Sequence, residues 1–165
     1  MKEIYQFAIN FEQKNQDFYY ECAEKVENKK LKDVFEELAA EEEKHERIIR
    51  NLAEGDQEEE VDSDIVSQAR EVFNELASDF DWEKDSSLPT DQVDIYKEAQ
   101  ELERESNKYY SEKAEETDDK EVEEVFNRLA REEKKHEEIL QNIINMVNKP
   151  NTWLDDPEWY HLDEY

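Results

Sequence analysis

Two stretches of this chain place a glutamate three residues ahead of a histidine: Glu42 with His45, and Glu133 with His136. On a helix that spacing puts both side chains on one face about one turn apart, where they can share a metal ion. A further glutamate stands 30 positions before each pair, Glu12 before Glu42 and Glu103 before Glu133. A hairpin turn near residue 28, and another near residue 119, brings each of these level with its Glu-x-x-His pair. One such pair in a chain with 49 acidic residues is weak evidence and ordinarily a solvated helical pair. Two copies in register, taking two of the three histidines, point to a di-metal site.

Ala8, Phe11 and Tyr19 flank Glu12 along its helical face, so its carboxylate faces inward among groups that cannot solvate it, and Glu103 is placed alike. Four carboxylates gathered in a core cost about several kcal/mol each and repel one another unless protonated or neutralised. Two divalent cations cancel their charge, and the imidazoles add neutral ligands. One Glu from each of two helices and Glu-x-x-His from the other two is a known construction for a di-metal carboxylate centre in a helical bundle. Iron, manganese and zinc all accept this donor set. Glu41 and Glu132 also recur and stand four residues before their histidines; Glu42 and Glu133 are preferred because Leu38, Glu42, His45 and Ile49 form one face, with Glu41 leaning outward. Tyr19 and Tyr110 lie two turns from Glu12 and Glu103 on the same face, either as hydrogen-bond donors to a ligating carboxylate or as core aromatics with the hydroxyl at the edge. His161 reads as a surface residue.

The elements that must position these residues come from a gapless internal repeat. Adding 91 takes Glu12 to Glu103, Tyr19 to Tyr110, Phe35 to Phe126, Leu38 to Leu129, Glu42 to Glu133 and His45 to His136. Each copy reads as a helical hairpin. Ile4, Phe7, Phe11, Phe18, Cys22 and Val26, then Leu31, Val34, Phe35, Leu38, Ile49 and Leu52, recur at helical spacing about a turn at Asn28. Ile95, Leu102, Tyr109 and Ala114, then Val122, Val125, Leu129, Leu140, Ile144 and Val147, do so about Asp118 and Asp119, with Lys149 and Pro150 ending the fourth long helix. Between the hairpins, an acidic stretch from Gly55 to Asp64 leads into a shorter amphipathic helix carrying Ile65, Ala69, Val72, Phe73, Leu76 and Phe80, long enough to return the chain along the bundle. Thr90 is the expected N-cap of the third long helix. The expectation is an all-α protein with one domain over residues 1–150 and an acidic aromatic tail over 151–165, which carries Trp153, Trp159, Tyr160 and Tyr165.

Composition agrees: 165 residues with a single Gly, three Pro and 42% charged residues suit long helices. A net charge of −28 repels nucleic acid and anionic membrane surfaces, so neither is expected as a partner. Residues 1–10 read as neither a secretory signal nor a membrane span, and the expected location is cytoplasmic. A single cysteine, Cys22, excludes an internal disulfide and a four-cysteine iron site.

The stretches AINFEQKNQDFYYECAEK with EELAAEEEKHERII, and ELERESNKYYSEKAEE with NRLAREEKKHEEIL, resemble the rubrerythrin branch of the ferritin-like superfamily over residues 3 to 148. That resemblance implies a ferritin-like four-helix bundle of two repeated hairpins with a long helical crossover. It implies two iron ions held by Glu12, Glu42, His45, Glu103, Glu133 and His136, with Tyr19 and Tyr110 as the tyrosines behind them. The implied activity is reduction of hydrogen peroxide or dioxygen, with electrons from a rubredoxin-like iron centre. Two departures stand out. The family's seventh carboxylate, three residues after the third-helix Glu, is here Ser106, and the four-cysteine electron-transfer module is missing, so an external donor protein is expected. A homodimer is the expected assembly. Iron oxidation and storage in a ferritin-type cage, and a metal-free helical interaction module, are the competing readings.

Overall fold

The computed structural model describes residues 2–78 and 92–148. Five helices appear there and no strand: α1 (Glu3–Lys25), α2 (Lys29–Glu54), α3 (Ile65–Ser78), α4 (Val93–Glu116) and α5 (Lys120–Asn148). The expected helical hairpins are α1–α2 and α4–α5, and local chemistry sets their turns. Asn28 is extended and its side chain accepts a hydrogen bond from the Leu31 N–H at 3.1 Å, capping α2. At the second turn the Asp119 carboxylate accepts from the Glu121 and Val122 amides at 3.0 and 3.3 Å. Gly55 ends α2 at φ 81, where its own N–H reaches Leu52 and that of Asp56 reaches Asn51; this left-handed closure favours glycine.

Helices α1 and α4 run antiparallel. Tyr109 near the end of α4 donates to the Ile4 carbonyl at 2.8 Å, and Gln92 at its start donates to the Lys25 carbonyl at 2.6 Å. On the other side α2 meets α5, with the rings of His45 and His136 stacked 5.5 Å apart. The chain is thus an all-α bundle of four long helices. Helix α3 buries Ile65, Val66, Ala69 and Phe73 at the end where α2 begins, with Lys30 3.4 Å from Glu75. Before it, the acidic linker crosses α2 and α5: Lys44 reaches the Val61 carbonyl at 3.3 Å and Arg128 reaches Asp62 at 3.1 Å. Phe80, Thr90, Lys149, Pro150 and the aromatic tail, His161 included, lie outside the described residues. Within those residues no helix is long and apolar enough to cross a membrane.

The apolar core forms two clusters. One gathers Tyr19, Phe35, Leu38, Phe73, Tyr96 and Ile139; the other gathers Ile9, Ile48, Ile49, Tyr110, Phe126 and Leu129. On each long helix the buried Glu and His residues fall between members of the two clusters, as Glu12 falls between Ile9 and Tyr19 on α1, whereas Asn142 on α5 lies within the first cluster. Here the structure corrects the apolar stripes expected for α1 and α4. Phe7 is 53% exposed, and Phe11, Phe18, Ile95, Leu102 and Tyr109 are only half-buried. The innermost face instead carries Ala8, Glu12, Asn15 and Tyr19 on α1, and Ala99, Glu103, Ser106 and Tyr110 on α4. Because polar side chains occupy the centre, the larger apolar ones pack beside it, where Phe7 and Phe11 lie 5.0 and 5.7 Å from the Tyr109 ring. Val26, placed on the helical stripe from sequence, is the extended residue that ends α1.

Candidate metal centre

Glu12, Glu42, His45, Glu103, Glu133 and His136 are each 0% exposed. They fall into two overlapping groups whose ligand atoms lie within 4.8 Å of one another: Glu12, Glu42, His45 and Glu133, and Glu42, Glu103, Glu133 and His136. Glu42 and Glu133 belong to both; Glu41 and Glu132 belong to neither. The antiparallel α2–α5 pair makes this sharing possible, because a residue of one helix stands beside the facing helix's histidine. His45 Nδ1 lies 2.8 Å from Glu133 Oε1, and His136 Nδ1 lies 2.7 Å from Glu42 Oε1. Nδ1 is therefore the nitrogen each ring turns to the carboxylates.

The hydrogen bonding is incomplete in a way that suits cations. Each of the four carboxylates keeps one oxygen, Oε2, buried and without a hydrogen-bond partner. An unpaired buried acceptor is costly, and a carboxylate oxygen has no proton with which to satisfy itself. Four acidic oxygens and two imidazoles around one small volume are the hard-oxygen and nitrogen donors that divalent transition ions prefer. The residues present fit a pair of such ions.

Charge is redistributed when no cation accompanies the quartet. Burial first, then the charges of Glu103 and Glu12, push Glu42 and Glu133 well above the usual carboxylate range. Burial also opposes ionisation of Glu12 and Glu103, but the adjacent Glu42 and His45, with the Tyr110 hydroxyl, hold Glu12 below its usual value. The adjacent Glu133 and the His136 charge hold Glu103 at about 2. The shifts run in opposite directions within the quartet because four adjacent carboxylates cannot all ionise in a dry site. For His136 burial works downward, and the Glu103 charge and hydrogen bond outweigh it and raise the imidazole.

The tyrosines cross between hairpins. Tyr19 donates to Glu103 Oε1 at 2.6 Å, and Tyr110 donates to Glu12 Oε1. Sequence spacing placed each tyrosine on the face of its own glutamate and could not show that each serves the glutamate of the other hairpin. Burial, then the neighbouring Glu103 or Glu12 charge, raises both phenols well above their usual value, so they remain donors. Replacing Tyr19 with Phe is expected to lower stability by about 1.5–3 kcal/mol, the worth of a hydrogen bond to a charged group. Urea unfolding would show it; a change within about 0.5 kcal/mol, typical of an unengaged surface site, would deny the bond its role.

Beyond the six, the buried polar side chains include Glu132, which the sequence offered only as an alternative to Glu133, and Asn15, Gln100, Glu137 and Asn142, which it did not single out. Glu132 is 1% exposed and lies 2.9 Å from Lys135 Nζ, while its repeat counterpart Glu41 is half-buried, so the two hairpins differ behind their histidines. Asn15 is 1% exposed and neither Oδ1 nor Nδ2 has a partner. The sequence did carry a sign of it: Asn15 is three residues after Glu12 and four before Tyr19, on one helical stripe.

A family model described as Rubrerythrin matches residues 3–144 of the chain. No curated protein and no solved structure matches it.

Proposed function

We propose, from the premise that this chain belongs to the rubrerythrin family, that it is a non-haem di-iron protein reducing hydrogen peroxide with electrons from a separate donor protein. The observation that carries the reading is the pair of overlapping buried groups sharing Glu42 and Glu133, each carboxylate with one unpartnered oxygen. Glu12 and His45 would hold one ion, Glu103 and His136 the other, and Glu42 and Glu133 would serve both. When bound, two ferrous ions supply the two electrons that, with two protons, convert one peroxide to two waters.

The chain's own residues do the rest. Tyr110 and Tyr19 fix one oxygen of Glu12 and of Glu103, so those carboxylates are already oriented before an ion arrives. Cation binding would favour the ionised forms of Glu42 and Glu133, because a carboxylate ligates in its ionised form. The two apolar clusters above and below the polar layer keep bulk water from the centre. Cys22, the single cysteine of this sequence, is buried and cannot by itself build a four-cysteine iron centre, which supports a separate donor.

Iron-loaded protein mixed anaerobically with a rubredoxin-type reductant should consume peroxide at two reducing equivalents per molecule. Iron-loaded protein that consumes none, or that instead accumulates iron far beyond two ions per chain in a large shell, would refute the redox reading.

A further inference from the structure

Asn15 occupies a position that no other polar residue of the centre shares. Its side chain is 1% exposed, and both its donor Nδ2 and its acceptor Oδ1 are without partners. Its repeat counterpart, Ser106, is equally buried but satisfies itself by donating to the Leu102 carbonyl at 2.9 Å. The repeat is therefore symmetric in its ligand-type residues and asymmetric here.

The surroundings say what the carboxamide faces. Helices α2 and α5 supply both shared carboxylates and both imidazoles, whereas α1 and α4 supply one carboxylate each. The α1–α4 seam is thus the donor-poor side, where coordination positions would stay open. The crossed bonds Tyr19 to Glu103 and Tyr110 to Glu12 span that seam. On α1, Asn15 is the buried residue between Glu12 and Tyr19, three residues after the one and four before the other, so it shares their helical stripe. A buried amide with neither end paired is destabilising in a site that serves only the fold. It is useful where a small ligand comes and goes.

We infer that Asn15 is the residue that hydrogen-bonds a small oxygen or nitrogen ligand, such as water, peroxide or azide, bound at the open side of the metal pair, and that it makes the two ion positions inequivalent. This rests on the di-metal reading above. The carboxamide suits peroxide in particular, since Nδ2 donates to an oxygen and Oδ1 accepts the remaining O–H. Asn15 is not itself counted among the ligands.

The test uses azide on the iron-loaded, oxidised protein, read by its visible charge-transfer band, together with iron content and the melting temperature of metal-free protein. Asn15→Leu and Asn15→Ser should weaken azide binding roughly three- to tenfold, the worth of one hydrogen bond, with iron content unchanged at that of the wild type. Ser106→Ala should leave azide affinity unchanged. Metal-free Asn15→Leu should melt higher than the metal-free wild type, because an unsatisfied amide has been replaced by an apolar group of similar size. Azide affinity within about twofold of wild type in both variants, a loss of iron, or a lower melting temperature for Asn15→Leu would each overturn the inference. A wild-type protein that takes up no iron pair would refute the di-metal reading, whereas a loaded variant with wild-type azide affinity would refute only the role of Asn15.

Discussion

Replacing Glu42 or Glu133 with Ala is expected to abolish reductant-dependent peroxide consumption and to leave the protein with at most one iron per chain. These two carboxylates belong to both ligand groups, so either substitution removes a donor from both ion positions at once. The magnitude follows from a comparison: losing a group that merely orients a ligand costs roughly 10–100-fold in metal affinity or activity. Losing a shared ligand should exceed that, by more than about 100-fold. Truncating Glu41, which is half-buried and outside both groups, should change turnover little. Elemental analysis beside a peroxide assay distinguishes these outcomes. Turnover and iron content unchanged in the Glu42 and Glu133 variants would show that the ions, if present, are held elsewhere.

Loading the site is expected to stabilise the fold strongly and to reverse how stability depends on pH. In the metal-free protein Glu42 and Glu133 carry pKa values raised from 4.5, and His136 a value raised from 6.5. A raised folded-state pKa contributes stability that is fully present below the unfolded value and lost as pH rises through the folded one. Metal-free protein should therefore melt at progressively lower temperature as pH rises above the unfolded carboxylate value of 4.5. Glu12 and Glu103, shifted downward, act in the opposite sense, but only below the unfolded value of 4.5 and so outside that window. A net charge of −28 adds self-repulsion in the same direction as pH rises. Cations bind the ionised carboxylates, so loading releases protons and is favoured by rising pH. At a thousandfold excess over Kd each ion contributes about 4 kcal/mol. At about 2–4 °C per kcal/mol for a domain of this size, two ions should raise Tm by about 15 °C or more near neutral pH. Calorimetry at several pH values would show the gap between loaded and metal-free protein widening with pH. A gap that is absent, or that narrows, would contradict the charge balance described here.

Much of this was legible in the sequence because chain direction and helical period are linear properties. The offset of 91 paired Glu12 with Glu103 and His45 with His136, and a hairpin about Asn28 sufficed to bring Glu12 level with Glu42. What the sequence withheld were relations between helices from different hairpins. That His45 stands beside Glu133 and that Tyr19 serves Glu103 both depend on how one hairpin docks on the other. No spacing along the chain encodes that docking. The apolar stripes of α1 and α4 misled for a related reason. Large apolar side chains usually mark the face toward the core, but here Glu12 and Tyr19 hold the centre and Phe7 and Phe11 pack at the flank. In α2 and α5, Leu38, Ile49, Leu129 and Leu140 lie above and below the polar layer on the same stripe as the histidines, and there period and burial agree.

The most direct test of the central claim is an anomalous difference map collected at the iron edge from crystals of iron-loaded protein. The account predicts two peaks per chain inside the bundle, one bounded by Glu12 and His45, the other by Glu103 and His136, with Glu42 and Glu133 touching both. A single peak, no peak, or peaks only among the surface acids would contradict it.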